Sequence, residues 1–114
     1  MRKKNYKGRC EKRVVAKCEG ICRIYDGIQG RMVDILAGES SVIDIRCNVP
    51  MEGAEYTSDI VCTMEDGRTV VYECCFRKLL TRPTVAKLLQ QSMEYWLNHG
   101  VREGDWRLAV DAEK

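Results

Sequence analysis

The chain has 114 residues, enough for one domain with a single modest core, and its composition is that of an ordinary globular protein. No apolar run is long enough to cross a bilayer and no signal-peptide pattern opens the sequence, so membrane-spanning roles are excluded and the cytoplasm is the expected compartment. The net charge of +2 hides an asymmetry: residues 1–17 carry +7 locally, which leaves residues 18–114 at −5. A basic arm on an acidic body suits phosphate contacts, and Arg2, Lys3, Lys4, Lys7, Arg9, Lys12 and Arg13 are the candidate DNA-binding residues. A solvated tail that aids solubility is the competing reading.

Over Arg9–Tyr25, Val14, Val15, Cys18, Ile21, Cys22 and Tyr25 fall at helical spacing, which predicts one helix kinked at Gly20 or two short ones. Residues 1–25 thus form a basic arm and helix ahead of a core over 26–114, within one globular domain. Asp26 is an N-cap for a helix through Leu36, with Ile28, Met32, Ile35 and Leu36 as its stripe and Gly38 as its stop. Ser41–Val49 alternates Ile43, Ile45, Cys47 and Val49 with Asp44, Arg46 and Asn48, a strand pattern that Pro50 ends. Tyr56–Thr63 and Thr69–Phe76 flank the turn Glu65-Asp66-Gly67, a hairpin signal. Thr81 is the expected N-cap of a helix with Pro83 in its first turn. Val85, Leu88, Leu89, Met93, Trp96 and Leu97 make its apolar face, and it ends near Asn98-His99-Gly100. Trp106–Asp111 is a final short strand. The order predicts an α/β (α+β) sandwich: N-terminal helices, a three-strand meander, a crossover helix and a last strand returned to a mixed sheet.

The sharpest chemistry lies in the hairpin. Side chains alternate across a strand, so Asp59 shares a face with Val61 and Thr63, and Glu73 with Val71 and Cys75. A carboxylate in a half-buried strand is costly unless it is paired or holds a metal. Two on one hairpin can face each other and clamp a divalent cation through oxygen; a solvated polar face is the alternative. Seven cysteines without a signal peptide read as reduced thiols. Cys10, Cys18, Cys22 and Cys47 are a minority candidate for structural Zn²⁺, without the paired C-x₂-C knuckles that make such sites recognisable. His99 is the only histidine and belongs at a helix end, where a cation is favoured.

Three pieces in this order, VIDIRCNVP, YTSDIVC and KLLQQSMEYWLNHGV followed by DWRLAVDAEK, resemble the restriction-endonuclease-like fold of the PD-(D/E)xK superfamily. The likeness is strongest to the N-terminal domain of the TnsA-like endonucleases of heteromeric transposases, and it runs from about Asp26 to Lys114. The resemblance implies that Asp59 is the metal-binding Asp, that Glu73 is the acid of the acid-x-Lys motif, and that the Cys74 carbonyl is a third contact to Mg²⁺. It places Cys75 where the family has its catalytic Lys and Gln29 near its helix acid. Lys87, on the following helix, is the better stand-in for that Lys, ahead of Lys78; an ordinary exposed helix lysine is the competing reading. A thiol supplies no positive charge at neutral pH, and losing one preorganised cation costs about 10²–10³ in rate.

The resemblance therefore implies a degenerate TnsA-like domain of mobile-element or phage origin. It would bind DNA or a protein–nucleic-acid complex, without efficient cleavage and without a membrane. Two other readings stay open. One is an active Mg²⁺-dependent endonuclease working beside a transposase subunit. The other is a phage or mobile-element inhibitor of a host nuclease, such as an anti-CRISPR.

Overall fold

The computed structural model describes residues 10–53 and 56–111. Its first element corrects the sequence reading. Where helical spacing predicts a helix over Arg9–Tyr25, the chain forms an antiparallel hairpin of Glu11–Val14 (β1) and Ile21–Ile24 (β2), with Val14 opposite Ile21 and Glu11 opposite Ile24. Gly20 turns the chain into β2 at φ +77, a conformation that costs glycine nothing and a side chain a good deal. Along β2 exposure alternates, Cys22 and Ile24 buried against exposed Ile21 and Arg23, which is period two. β-Branched Val14, Val15, Ile21 and Ile24 favour that pleated geometry.

From Asp26 onward the order of elements matches the expectation. Asp26 caps the helix Gly27–Ala37 (α1) by accepting the Gln29 N–H at 2.8 Å, and Gly38 closes it. Val42–Pro50 (β3), Thr57–Met64 (β4) and Thr69–Cys74 (β5) make an antiparallel meander. Pro83–Asn98 (α2) crosses over and returns Trp106–Ala109 (β6) parallel to β5. The sheet order is β3-β4-β5-β6, so the fold is mixed α+β with a four-stranded mixed sheet and a separate two-stranded one. Arg82, rather than Thr81, holds the N-cap position of α2, with Pro83 in the first turn where its missing N–H goes unused. No helix among the described residues is long and apolar enough to cross a membrane.

Both faces of the sheet are covered. On one, Ile45, Ile60, Cys62 and Cys74 pack with Val33 and Leu36 of α1 and with Cys22 and Ile24 of the hairpin. On the other, Val61 and Val71 pack with Trp96, Val101 and Trp106, and Cys75 with Val85 and Leu89 of α2. That is why β4 reads as a near-continuous apolar run: Ser58 through Cys62 are all buried, with Ile60 and Cys62 in the cluster that holds α1 and Val61 in the one that holds Trp96.

Candidate functional site

The paired register of β4 and β5 runs from Thr63–Thr69 to Ile60–Tyr72. The next step along brings Asp59 alongside Glu73, and opposite residues share a face. Both acids therefore lie on the α2 side with Val61 and Val71, and both are fully buried. There side chains take over from the ladder. Glu73 Oε1 accepts the Asp59 N–H at 3.1 Å, and Asp59 Oδ2 accepts the Cys74 N–H at 2.7 Å. Each acid satisfies a backbone donor of the opposite strand.

α2 closes the site from outside the sheet. Val85, Leu89 and Ser92 are its buried residues, spaced to face the sheet as one stripe. Ser92 Oγ donates to Glu73 Oε2 at 2.5 Å and accepts the Trp106 indole N–H at 3.0 Å. The Trp96 indole N–H donates to Ser58 Oγ at 2.8 Å. Tyr56 is buried beside these groups, and its phenol is pushed strongly upward, first by burial and then by the charges of Glu73 and Asp59.

From the opposite face, Gln29 reaches the same level of the sheet. Its Nε2 donates to the Asp59 carbonyl and to Asn48 Oδ1, both at 3.0 Å, and its Oε1 accepts the Tyr25 N–H at 2.9 Å. Asn48 sits in β3 at φ 55, the left-handed region, and its Nδ2 donates to the Arg23 carbonyl at 2.7 Å. A polar path, buried at Gln29 and half-buried at Asn48, thus links β2, β3, α1 and β4.

The structure brings together Asp59, Glu73, Gln29 and the Cys74 backbone. The other expected residues stand apart. Cys75 is fully buried among Val85, Leu89, Leu79 and Leu80, with its Sγ 3.5 Å from the Phe76 carbonyl; it is a small core residue. Lys87 is exposed, off the Val85–Leu89–Ser92 stripe, and Lys78 is exposed as well. Arg13 is held inward by Glu11 at 2.8 Å, Asp34 at 2.8 Å and the Gly30 carbonyl at 3.1 Å, so its guanidinium serves to dock the hairpin on α1. Lys12 is exposed. Arg2, Lys3, Lys4, Lys7 and Arg9 lie outside the described residues.

Ser58, Tyr56, Ser92, Asn48 and the two indole N–H groups were not singled out by sequence. Ser92 alone left a readable trace, as the one hydroxyl in the stripe that Val85 and Leu89 begin.

This constellation does not fit Mg²⁺. The ion needs near-octahedral oxygen at about 2.1 Å and keeps several waters, whereas Asp59 Oδ2 and both Glu73 oxygens accept from the protein's own donors in a fully buried setting. Among the described residues no three His, Cys, Asp or Glu side chains are grouped to hold a metal. Cys18, Cys22 and Cys47 pack in the core with Val15 and Ile24. Burial pushes Cys18 up to about 12 and Cys47 up to about 11, so without a metal they stand as protonated thiols.

No protein-family model and no curated protein matches the chain. The site must be judged on its own chemistry. The two carboxylates, Ser92 and the Trp106 indole are hydrogen-bonded in one chain, and the Ser58–Trp96 pair and the Gln29 and Asn48 amides add further ties between sheet and helices. None of these groups is a cation at the position the resemblance assigns to Lys.

Proposed function

We propose that the chain is a degenerate nuclease-fold domain that binds DNA, alone or within a nucleic-acid-processing complex, without cleaving it efficiently. The observation that carries this reading is the fate of the expected catalytic position. Cys75 is packed into apolar core, and the acids two residues away and across the strand are occupied by backbone and Ser92 donors. Cleavage of a phosphodiester needs a preorganised positive charge where charge develops; here the corresponding position offers a neutral thiol. The mixed sheet agrees with such a fold, and no cation stands at the position the resemblance gives to Lys. The basic charge of the first 17 residues supports phosphate contact, which positions a protein on nucleic acid without reading sequence.

The test uses supercoiled plasmid with Mg²⁺ or Mn²⁺, beside an Asp59→Asn variant checked for folding by circular dichroism. The expected result is no nicking by either protein, together with a gel shift that weakens steeply with salt and is lost on deleting residues 1–9. Nicking by the parent chain that Asp59→Asn abolishes overturns the reading in favour of an active endonuclease.

A further inference from the structure

The N-terminal hairpin carries chemistry that the acid site does not use. Lys12 stands opposite Arg23 and Val14 opposite Ile21, and all four side chains lie on the same face of the two-stranded ribbon. That face is open: Val14 is 86% exposed, Ile21 is 59% exposed, and Lys12 and Arg23 are exposed too. The other face is the anchored one. Cys22 and Ile24 are buried in the core, Arg13 bonds to α1, the Ile45 N–H donates to the Lys17 carbonyl at 2.8 Å, and Asn48 holds the Arg23 carbonyl. Val14 and Ile21 suit the strand as a β-branched cross-strand pair, yet they leave adjoining apolar surface in water beside two cations, a mixed face that a partner can cover.

Its only acids lie off this face. Glu11 points to the inner side and pairs with Arg13, and Glu19 is in the connecting turn. The sequence running into β1 adds Arg2, Lys3, Lys4, Lys7 and Arg9. The dimensions also agree. Two strands about 4.8 Å apart, with their side chains, suit a major groove about 12 Å wide, which admits a two-stranded ribbon. Four residues per strand extend about 13 Å, or roughly four base pairs.

We propose that the face of Lys12, Val14, Ile21 and Arg23 enters the major groove of duplex DNA, the two cations reaching phosphates or guanine edges and the two apolar side chains meeting thymine methyl groups. This rests on the DNA-binding reading above and adds the surface and the groove to it.

The experiment is fluorescence anisotropy of the full chain on mixed-sequence 20-base-pair duplexes, made once with thymine and once with uracil in its place. Uracil lacks only the major-groove methyl. The parent chain binds the uracil duplex more weakly, by about fourfold for each methyl contacted. Val14→Ala with Ile21→Ala abolishes that difference. Lys12→Gln with Arg23→Gln lowers affinity and reduces the slope of log K against log salt by about 0.9 for each of the two that sits on a phosphate. All four side chains are exposed, and circular dichroism and melting of both double variants confirm that the fold is kept before affinities are compared.

Salt-dependent binding that neither double variant nor uracil alters overturns the hairpin proposal and leaves the DNA-binding reading standing. No duplex binding by the parent chain at low salt overturns both. Self-association in sedimentation that Val14→Ala with Ile21→Ala removes, with duplex affinity unchanged, makes the face a contact between copies of the chain and also overturns it.

Discussion

Glu73 and Asp59 each serve the other's strand: Glu73 accepts the Asp59 N–H at 3.1 Å, and Asp59 accepts the N–H of Cys74, next to Glu73, at 2.7 Å. At this level of the sheet the carboxylates stand in for backbone acceptors. Glu73 also takes the Ser92 hydroxyl, so it joins β5 to β4 and the sheet to α2. Replacing it with Ala leaves the Asp59 N–H and the Ser92 hydroxyl unmet in a dry interior. The expected loss is about 3 kcal/mol or more, read from urea unfolding. Glu73→Gln keeps one acceptor for the Asp59 N–H and costs less. Equal losses for the two variants would remove the acceptor role from the account.

Restoring the residues that the TnsA-like resemblance calls for should damage this protein. Cys75→Lys drives an ammonium into the packing of Val85, Leu89, Leu79 and Leu80, where the charged form is strongly disfavoured. Gln29→Glu removes the donor that the Asp59 carbonyl and Asn48 Oδ1 now share. Cys75→Lys is expected to cost about 3 kcal/mol and Gln29→Glu about 2 kcal/mol, and neither restores nicking of plasmid in Mg²⁺. Thermal melting and a plasmid assay on the same preparations check both halves. A stable Cys75→Lys protein that nicks DNA would show that the core around position 75 opens to accept the charge.

Much of this arrangement was legible before the structure. The turn at Glu65-Asp66-Gly67 fixed the hairpin, and strand alternation then put Asp59 and Glu73 on definable faces. The N-terminal hairpin was not legible, because over so short a stretch helical and strand periods select overlapping residues. Val15 and Cys22, helical neighbours on paper, pack in one core from opposite sides of a turn. Only Gly20 and the β-branched content separated the two readings. Ser92 and Asn48 escaped for another cause. Their roles are set by partners far along the chain, Glu73 and Trp106 for one, Gln29 and Arg23 for the other; the helix stripe marks Ser92 as facing the sheet, but local pattern does not say what either residue bonds.

The protein should lose stability in alkali earlier than its surface charges suggest. Burial pushes Cys62 from the ordinary 9.0 up to about 12, and Cys47 up to about 11. Unfolded thiols ionise near 9.0, so above that pH the unfolded chain holds fewer protons than the native one. Stability is therefore full below about pH 9 and declines as pH rises towards the folded values, by at most about 1.4 kcal/mol per pH unit for Cys62. Tyr56 adds to the decline above pH 10, since burial and the neighbouring acids hold its phenol protonated in the fold. Guanidinium midpoints between pH 7 and 11 measure the slope. Cys62→Ala should flatten it even though it lowers stability at pH 7, and an unchanged slope would show that this thiol ionises alike in both states.

Asn48 separates backbone strain from side-chain bonding. Its left-handed φ of 55 is tolerated by asparagine and glycine but costs other residues about 1 kcal/mol. Its side chain ties Gln29 to the Arg23 carbonyl and so fastens β2 to the site. Asn48→Ala loses both bonds and keeps a Cβ in the disfavoured region, for an expected loss of about 3 kcal/mol. Asn48→Gly loses the same bonds without the strain and should cost about 1 kcal/mol less. In both variants hydrogen exchange at Cys22 and Ile24 should quicken relative to Val61 and Val71, because the hairpin loses its tether while the β4–β5 ladder keeps its own. Equal stability losses would mean the backbone relaxes out of the left-handed region once the asparagine is gone. Unchanged exchange in β2 would mean that Arg13 and the buried Cys22 and Ile24 hold the hairpin without it.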